Sequence, residues 1–419
     1  MLNHLLFPCN RHLQMVGEAL TQPKQKDDSP WNDSTIMFRC TRHGSHVLRR
    51  TGVRWLNGAN PGDKVVAKDD MRRFMVDLMK TQKVNPSHAE QLADVLLEAD
   101  IRGHYSHGLN RLEMYAKDCM KKVVKSDGTP KILKEKPGTA WVDGLSLLGP
   151  VVGNFCMDLA IKKAKDVGIA CVSAKGSNHY GIAGWYSMRA MRQGLIGISS
   201  TNTSPIMFPT RAAKPALGTN PIAIGAEGTG GDSYLLDMAT TTVAIGKVEI
   251  AKRKGDPVPE TWGVAKGGKV STNAEEIITG GGLLPVGGGE LSGGYKGYGL
   301  GSVVEIFCGI LSGSHWGPNV RKWMAATTEA DLGQVFLAID PEAFAPGFRD
   351  RLQQLINTLR ELPHVDPSLK VLIPGDKERT HEKLVKDLGG IPYHPNQIKN
   401  ADELAQKYKI KNVTVIKEV

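Results

Sequence analysis

The sequence has few cysteines and no long apolar run, and each absence excludes a class of protein. Six cysteines occur among 419 residues, and none forms a C-x-x-C pair. These wide spacings exclude a dense disulfide scaffold and give no indication of a zinc knuckle, and thiols in a reducing compartment are expected. No stretch of about 18 uncharged apolar residues is present, so no membrane span is predicted. The nearest candidate, 300–311, is interrupted by Glu305 and predicts a buried helix.

Common ligand-binding motifs are also missing. The chain contains neither the G-x-G-x-x-G nor the G-x-x-x-x-G-K-[ST] pattern, so a nucleotide site of the familiar kinds is not indicated. The H-E-x-x-H pattern is absent too, and His104 and His107 have no second ligand cluster to join. No metal site is therefore predicted.

Acidic residues are outnumbered by basic ones, 43 to 53, which gives a net charge of +10. This modest excess suits an anionic ligand or an acidic substrate, although a generally basic, solvated surface would produce it as well. A nucleic-acid partner is not expected, because the clustered arginines of residues 39–54 lie in an atypical N-terminal stretch. The length favours two lobes or one elaborated domain.

Residues 1–63 show no sustained periodicity and end in the breaker cluster 57–62, so they predict a disordered extension. A mitochondrial presequence stays open because 1–19 carries Arg11 and a single acid, Glu18, although the acids at 27–33 argue against it. The expected location is cytoplasmic, with the mitochondrial alternative resting on this extension.

The remaining chain alternates between helical and strand patterns and predicts a mixed α/β fold. The predicted helices cover 68–80, a segment capped by Asn85 and Pro86, a segment from about Ser106, and then 154–167, 185–192, 241–252, 298–311, 349–359 and 401–408. The predicted strands cover 169–173, 195–199, 221–225, 234–236, 334–339 and 413–416. Taken alone, this strand-helix-strand rhythm suggests a parallel sheet.

The first candidate site lies in the segment 102–111. His107 and Arg111 are four residues apart, so on a helix they would share a face, and Ser106 would cap that helix. Arginine provides a forked clamp for a carboxylate, and histidine titrates near neutral pH and can protonate a carbonyl oxygen. The plainer alternative is a helix start with two solvated polar residues.

A second candidate lies in the glycine-rich segment 176–184, directly after a predicted strand. Open α/β sheets bind ligands at the carboxyl ends of their strands, and flanking glycines allow the backbone to approach a ligand closely. His179 is therefore a candidate acid/base. The alternative is a turn histidine that only bonds to the backbone.

Further glycine- and hydroxyl-rich segments have the chemistry of phosphate and ribose partners. Lys296 lies between glycines and suits a phosphate. These segments are 201–205, 217–221, 237–241 and 293–299. Each of them alone is a weak signal.

Taken together and in order, these segments resemble the malate/L-lactate dehydrogenase family, a group without the Rossmann fold that includes sulfolactate and ureidoglycolate dehydrogenases and diketogulonate reductase. The resemblance covers about 65–408 and rests on D-I-R-G-H-Y-S-H-G from Asp100, G-S-N-H-Y-G-I-A-G from Gly176, T-N-T-S-P, L-G-T-N-P, L-D-M-A-T, G-K, R-K-G and Y-K-G-Y-G-L. It implies a non-Rossmann nicotinamide-binding fold with a largely antiparallel sheet plus a helical domain. The implied domains are 64–150, completed by C-terminal helices within 340–410, and a cofactor-binding domain at 151–340.

The resemblance also implies a chemistry and a set of residues. The activity would be hydride transfer between a nicotinamide cofactor, NAD with NADP left open, and a small 2-oxo or 2-hydroxy acid, in a homodimer. The implied substrate and proton-transfer residues are Ser106, His107, Arg111 and His179, with either histidine as the acid/base. The implied cofactor contacts are Thr203, Asp237, Met238, Ala239, Lys296, Gly375 and Asp376.

Two departures and one alternative qualify this reading. Asp376 replaces the glutamate of the family's P-G-E turn, and Ser204 stands where some members have an acid, which counts against ureidoglycolate as substrate. Malate-, lactate- and sulfolactate-like acids stay open. The alternative function is a binding protein that keeps the fold without catalysis.

Overall fold

The structure is a computed structural model that describes residues 59–322 and 325–419. Most of the predicted N-terminal extension, 1–58, lies outside the described residues. Its last residues are ordered into a turn: Asp63 is buried, and the Gly62 N–H donates to the Val419 carbonyl at 2.9 Å. The folded part therefore includes the final residues of the segment 1–63.

The helices largely follow the predicted periodicity. They are α1 (Lys68–Thr81), α2 (Pro86–Ile101), α3 (Leu112–Met120), α4 (Gly149–Val167), α5 (Gly184–Met191), α6 (Ile245–Lys254), α7 (Ala274–Ile278), α8 (Gly294–Glu305), α9 (Phe348–Arg360), α10 (Asp376–Leu388) and α11 (Pro395–Tyr408). The cap of α2 is confirmed, since the Asn85 side chain accepts the Ser87 N–H at 2.9 Å. α4 ends at Gly168, whose φ of 86° is left-handed.

The strands build one large sheet and two small ones. They are β1 (Lys64–Val66), β2 (Lys131–Lys136), β3 (Thr139–Asp143), β4 (Ile169–Ser177), β5 (Ile196–Thr201), β6 (Ile222–Glu227), β7 (Ser233–Met238), β8 (Gly263–Val264), β9 (Gly282–Leu283), β10 (Leu332–Ile339), β11 (Ile391–Tyr393) and β12 (Val415–Glu418). The large sheet has seven strands in the order β2-β3-β4-β10-β5-β6-β7.

The parallel sheet suggested by the residues alone is wrong, and the largely antiparallel sheet implied by the resemblance is confirmed. In the large sheet only β3 and β4 pair in parallel. The reason is β10, which inserts between β4 and β5 and is antiparallel to both. The β4-α5-β5 crossover is present, but its two strands never touch.

The helices and the C-terminal elements share one apolar core with the large sheet. Phe74 of α1, Val172 of β4 and Leu404 of α11 belong to the same buried cluster. β1 pairs with β11 and β12 in the three-stranded sheet, which joins the start of the folded chain to its end. The division into domains at 150 and 340 stays a prediction.

The helix predicted at 298–311 forms, but it is not wholly buried. α8 continues into a π-helical turn, Ile306–Ile310, and one side of this rod faces inward through Val304 and Cys308. Its outer side is apolar and exposed. This outer face consists of Val303, Ile306, Phe307, Ile310 and Leu311, which are between 44% and 56% exposed. Among the described residues, no helix combines the length and apolarity that crossing a bilayer requires.

Candidate active site

The segment from Ser106 to Arg111 is a turn rather than the predicted start of a helix. A single 3₁₀ turn covers Leu109–Arg111, and α3 begins only at Leu112, so Ser106 does not act as its cap. Ser106 contacts its neighbour instead, with Oγ 2.9 Å from His107 Nδ1. Arg111 Nε donates to the Ser106 carbonyl at 2.7 Å, so the predicted trio does come together.

Asp100 supports the turn that precedes α3. Its fully buried carboxylate accepts the Leu109 N–H at 2.9 Å and the Tyr393 hydroxyl at 2.8 Å, and thereby ties the start of the 3₁₀ turn to β11. A Cβ on Gly108 would lie 1.9 Å from Asp100 Oδ1, so only glycine fits at this position. Burial raises the pKa of Asp100 to about 7. Its motif position was noted in the sequence, but not this role.

His179 lies where the sequence predicts it, in the loop that follows the carboxyl end of β4. Two groups meet its Nδ1 atom: the Tyr115 hydroxyl at 2.5 Å and the Gly181 N–H at 3.3 Å. Because a backbone N–H can only donate, Nδ1 acts as the acceptor, and the neutral ring carries its proton on Nε2. Tyr115, which the sequence analysis missed, therefore fixes the orientation of this imidazole.

The two predicted histidines lie face to face. Their ring centroids are 5.8 Å apart with an interplanar angle of 23°. Burial lowers the pKa of His107 to about 3, and the positive charge of Arg111 acts in the same direction. Burial also lowers the pKa of His179 well below its ordinary value, and repulsion from His107 and Arg111 adds to this shift. Without a bound anion, the site therefore favours neutral imidazoles.

A cleft beside His179 joins the histidine site to the glycine-rich segments. Thr203 and Ser204 line it, and so do Met114 and Leu332. Arg321, which the sequence analysis did not single out, lines it too. Arg321 Nη2 is 2.6 Å from an oxygen of Asp118, and both side chains are largely buried. Their separation in sequence leaves no local signal for this pair.

The hydroxyl-rich segments, dispersed in sequence, form one connected set of turns. The Thr219 N–H donates to Thr203 Oγ1 at 2.8 Å, and the Thr240 N–H donates to the Thr219 carbonyl at 2.8 Å. The Val286 N–H then donates to the Thr240 carbonyl at 2.9 Å. Since a Cβ on Gly297 would lie 2.2 Å from the Val286 carbonyl oxygen, α8 approaches these turns through glycine.

One buried carboxylate ties three of these elements together. Glu305 of α8 accepts the side-chain amides of Asn202 at 2.9 Å and Asn220 at 2.6 Å, together with the Gly317 N–H at 2.8 Å. Asn220 in turn accepts the Thr203 N–H at 3.1 Å. The position of Thr203 therefore depends on a charge in the interior of α8.

Lys296 is exposed in the first turn of α8, after Gly293, whose φ of 91° is left-handed. A cation at a helix N-terminus suits a phosphate group, because the helix dipole and the ammonium attract it together. The Asp237–Ala239 segment ends β7, and Asp237 Oδ2 accepts the Gly184 N–H at 2.7 Å. Met238 and Ala239 are half-buried beside it.

Gly375 and Asp376 belong to a different set of contacts from these turns. Gly375 has a left-handed φ of 100° and begins α10. Asp376 binds Arg360 at 2.6 Å and Arg379 at 2.7 Å, and Arg360 also binds Asp232. The Leu235 N–H donates to the Pro374 carbonyl at 3.1 Å, which places this turn beside β7. The predicted cofactor role of Gly375 and Asp376 stays a prediction.

Among residues 59–322 and 325–419, no three or more His, Cys, Asp or Glu side chains are grouped so as to hold a metal ion.

Comparison with known proteins assigns a family to this arrangement. The profile described as malate/L-lactate dehydrogenase matches residues 66–401. The chain is 40% identical to malate dehydrogenase of Pyrococcus horikoshii over 83% of this chain and 96% of that protein. It is 34% identical to malate/(S)-sulfolactate dehydrogenase of Methanothermus fervidus over 83% of this chain and 98% of that protein.

Solved structures agree with the sequence comparison. Malate dehydrogenase of Entamoeba histolytica superimposes with a TM-score of 0.79 at 31% identity, covering 83% of this chain and 99% of that one. The Pyrococcus horikoshii structure gives a TM-score of 0.78 at 37% identity, covering 85% of this chain and 99% of that one. On fold, motif order and extent of match, the chain belongs to the malate/L-lactate dehydrogenase family.

Proposed function

We propose that this protein interconverts a small 2-oxo acid and the corresponding 2-hydroxy acid, using NAD or NADP and a histidine as general acid/base. The observation that carries the proposal is the convergence of His107, Arg111 and His179 beside a cleft whose wall includes Thr203. The four residues come from three segments of the chain, 102–111, 176–184 and 201–205. Together they offer a carboxylate clamp, a proton donor and a neighbouring hydroxyl-rich surface.

The residues present fit a nicotinamide dinucleotide. Connected turns built from Thr203, Thr219 and Thr240 offer hydroxyl and amide groups for ribose and phosphate, and Lys296 offers a cation at a helix N-terminus. Asp237, Met238 and Ala239 complete the proposed surface. When bound, the nicotinamide supplies or accepts the hydride.

The protein's own residues manage the substrate's charge and its proton. Arg111 would hold the C1 carboxylate through its guanidinium fork. The bound carboxylate would then raise the histidine pKa that burial and Arg111 lower, so substrate binding itself would help to charge the acid. Nδ1 of His179 faces Tyr115 and the Gly181 N–H, so Nε2 is the ring atom that we assign to the substrate oxygen. In reduction the charged ring would give its Nε2 proton to that oxygen and keep its other proton on Nδ1, where the Tyr115 oxygen can accept it. We therefore assign proton transfer to His179, with His107 orienting the substrate.

The direct test is a spectrophotometric panel. Oxaloacetate, pyruvate and 3-sulfopyruvate are offered with NADH and with NADPH, and consumption is followed at the nicotinamide absorbance band. We expect turnover of at least one oxo acid, which His179→Gln lowers by orders of magnitude while the fold is kept. Binding of NADH or NADPH without turnover of any oxo acid would favour the non-catalytic alternative.

Lys296→Ala tests the cofactor surface. Losing a phosphate contact removes binding shared by ground and transition states, so the KM of the cofactor should rise more than the KM of the oxo acid. Lys322→Ala, another exposed lysine at the substrate cleft, is the matched comparison. A cofactor KM that stays unchanged in Lys296→Ala would remove this lysine from the proposed surface.

We further propose that a second copy covers the outer face of α8. An exposed apolar stripe on a helix is well suited to pack against its own symmetry mate, because a two-fold axis brings identical patches together. Light scattering should give a dimer for the wild type and a monomer for Phe307→Glu. Leu369→Glu, at an exposed leucine outside this face, is the control and should stay dimeric.

A further inference from the structure

The cleft beside His179 is also lined by cationic side chains. Asn178 and His179 line one part of it, and Arg321 and Lys322 line another. Lys322 is exposed at the rim, whereas the Arg321 side chain is only 13% exposed. The cleft therefore has a largely buried guanidinium of its own, separate from that of Arg111 beside the histidines.

Arg321 is held firmly in this position. Its Nη2 donates to Asp118 Oδ2 at 2.6 Å, and its Nη1 donates to the Thr328 carbonyl at 2.6 Å. Ser204 adds a tie to the backbone, because its Oγ donates to the Arg321 carbonyl at 2.7 Å. Two fixed acceptors orient the planar guanidinium, and N–H groups remain on its other edges.

The same pair is linked to the catalytic loop. Asp118 Oδ2 also lies 3.3 Å from Asn178 Nδ2, and Asn178 Oδ1 accepts the His179 N–H at 2.7 Å. Arg321 and His179 are thus held at a fixed relative position through one carboxylate and one amide. A ligand that contacts both residues must therefore have a length that matches their separation.

We propose that Arg321 binds a second anionic group of the substrate, at the end remote from the C1 carboxylate. The inference rests on the proposed function and narrows it to dianionic 2-oxo acids, namely those with a terminal carboxylate or sulfonate. Arg321 is then a specificity-determining residue. Met114, Ala330 and Leu332 supply the apolar wall along the connecting carbon.

The energetics support this reading over a pocket for an uncharged end group. Burying an arginine-carboxylate pair costs desolvation that a hydrophobic wall avoids, so a pocket that only had to hold a methyl group would not need such a pair. Ser204 supplies a hydroxyl rather than an acid at the position facing Arg321, which keeps the cleft free of a second negative charge beside Asp118. The competing explanation is that the pair merely anchors the chain around 321–332.

The test compares three oxo acids of similar size: oxaloacetate, 3-sulfopyruvate and 2-oxobutanoate, which has a methyl group in place of the second anion. The variant is Arg321→Met combined with Asp118→Asn, so that no unpaired buried charge remains. The matched control is Arg349→Met with Glu227→Gln, which removes an ion pair of 3.2 Å outside the cleft. Melting temperature and cofactor affinity report on folding.

We expect the wild type to prefer a dianion, with oxaloacetate and 3-sulfopyruvate revealing which end group is favoured. The double variant should lose roughly 10- to 100-fold in kcat/KM for the dianions, the usual worth of hydrogen bonds to a charged group. 2-Oxobutanoate should lose much less than the dianions, because an amide oxygen at position 118 can still accept from Asn178, and the control should keep the wild-type ratios. For the dianions, the kcat/KM of Arg321→Lys should lie between those of the wild type and the double variant, because this variant keeps the charge and loses the fork.

Two results would overturn the proposal. One is an equal loss for all three acids in both the double variant and Arg321→Lys, which identifies a structural anchor. The other is a wild type that reduces 2-oxobutanoate as well as it reduces the dianions. Failure of the proposed function looks different, because the wild type would then reduce none of the three acids.

Discussion

The histidine site and the ion-pair network at α10 are both partly buried and polar, yet their charges respond in opposite ways. In the histidine site, burial and the nearby positive charge of Arg111 lower the pKa of His107 and His179, which favours the neutral imidazoles. In the network, hydrogen bonds from Arg360 lower the pKa of Asp232, and its bonds to acids raise the pKa of Arg360, which favours the charged forms.

In these two regions, the contrast distinguishes the proposed ligand site from an ion-pair network that stabilises the fold. Where an arginine and histidines cluster away from water, a bound anion is most favourable. It reduces the repulsion among these groups and favours protonation of the histidines. Where opposite charges alternate, as in Asp232, Arg360, Asp376 and Arg379, the partners already satisfy one another. Four experiments test this comparison, in decreasing order of expected effect.

Replacing the histidines should have the largest effect. We expect His179→Gln to lower kcat by roughly 10²- to 10⁴-fold, the usual contribution of a positioned acid. His107→Gln should act mainly on the KM of the oxo acid. Steady-state kinetics in both directions measures the difference. Near-normal turnover in both variants would remove the histidine mechanism, and a reversed pattern would exchange the two roles.

Arg111→Lys should rank second. The charge is kept, but the fork that binds a carboxylate through two parallel hydrogen bonds is lost, so the KM of the oxo acid should rise about 10- to 100-fold. The KM of the cofactor is the internal reference and should change little. A normal substrate KM would show that another residue binds the C1 carboxylate.

The third test is the pH dependence of kcat/KM, which should change by about tenfold per pH unit for reduction. Because the histidine pKa values are lowered in the free protein, both rings are neutral near pH 7. Reduction needs the protonated ring, so its kcat/KM should fall steadily as pH rises from 5 to 9. Oxidation needs the neutral ring, so its kcat/KM should stay level over this range. A reduction profile that is flat below an ordinary histidine pKa would contradict the lowered values.

Asp376→Asn should have the smallest effect on activity and a measurable one on stability. It weakens bonds to Arg360 and Arg379, which we expect to cost about 1 to 3 kcal/mol of unfolding free energy at pH 7. Burial acts to raise the pKa of Asp376, but the arginine bonds outweigh it and the pKa is lowered. The contribution is therefore present above the unfolded carboxyl pKa and is lost as pH falls through the lowered folded value.

Denaturant titrations of the wild type and Asp376→Asn at pH 7 and pH 3 measure this loss, and the gap between the two proteins should narrow at pH 3. Lys383→Gln removes an exposed pair with Asp387 on the same helix and serves as the control. A raised cofactor KM with unchanged stability would instead identify Asp376 as a cofactor contact.

Local features of the fold were predictable, and long-range ones were not. The helical stripe of Met71, Phe74 and Met75 gave α1 to within one residue, and the strand before His179 was found because short apolar runs followed by glycine are local signals. The turn that replaces the predicted helix start is bonded to Asp100, nine residues before the Leu109 N–H that its carboxylate accepts. Periodicity carries no information about such a contact.

The candidate site shows the same limit. His107, Arg111 and His179 were found from their chemistry and from the resemblance, but Tyr115 and Arg321 were missed because their partners lie far away in sequence. The exposed side of α8 was also missed, since an apolar helix looks the same whether neighbouring strands or another chain covers it.

The insertion of β10 between β4 and β5 sets the order in which the molecule can be completed. β4 and the loop carrying His179 are synthesised more than 150 residues before β10, yet Gln334 of β10 donates to the Asn178 carbonyl at 3.0 Å. At about 5 to 20 residues per second, a ribosome needs roughly 8 to 30 seconds to bridge that gap. During this interval β4 and β5 expose unpaired edges, and the catalytic loop lacks its support. Completion of the site is therefore a late, non-local step of folding.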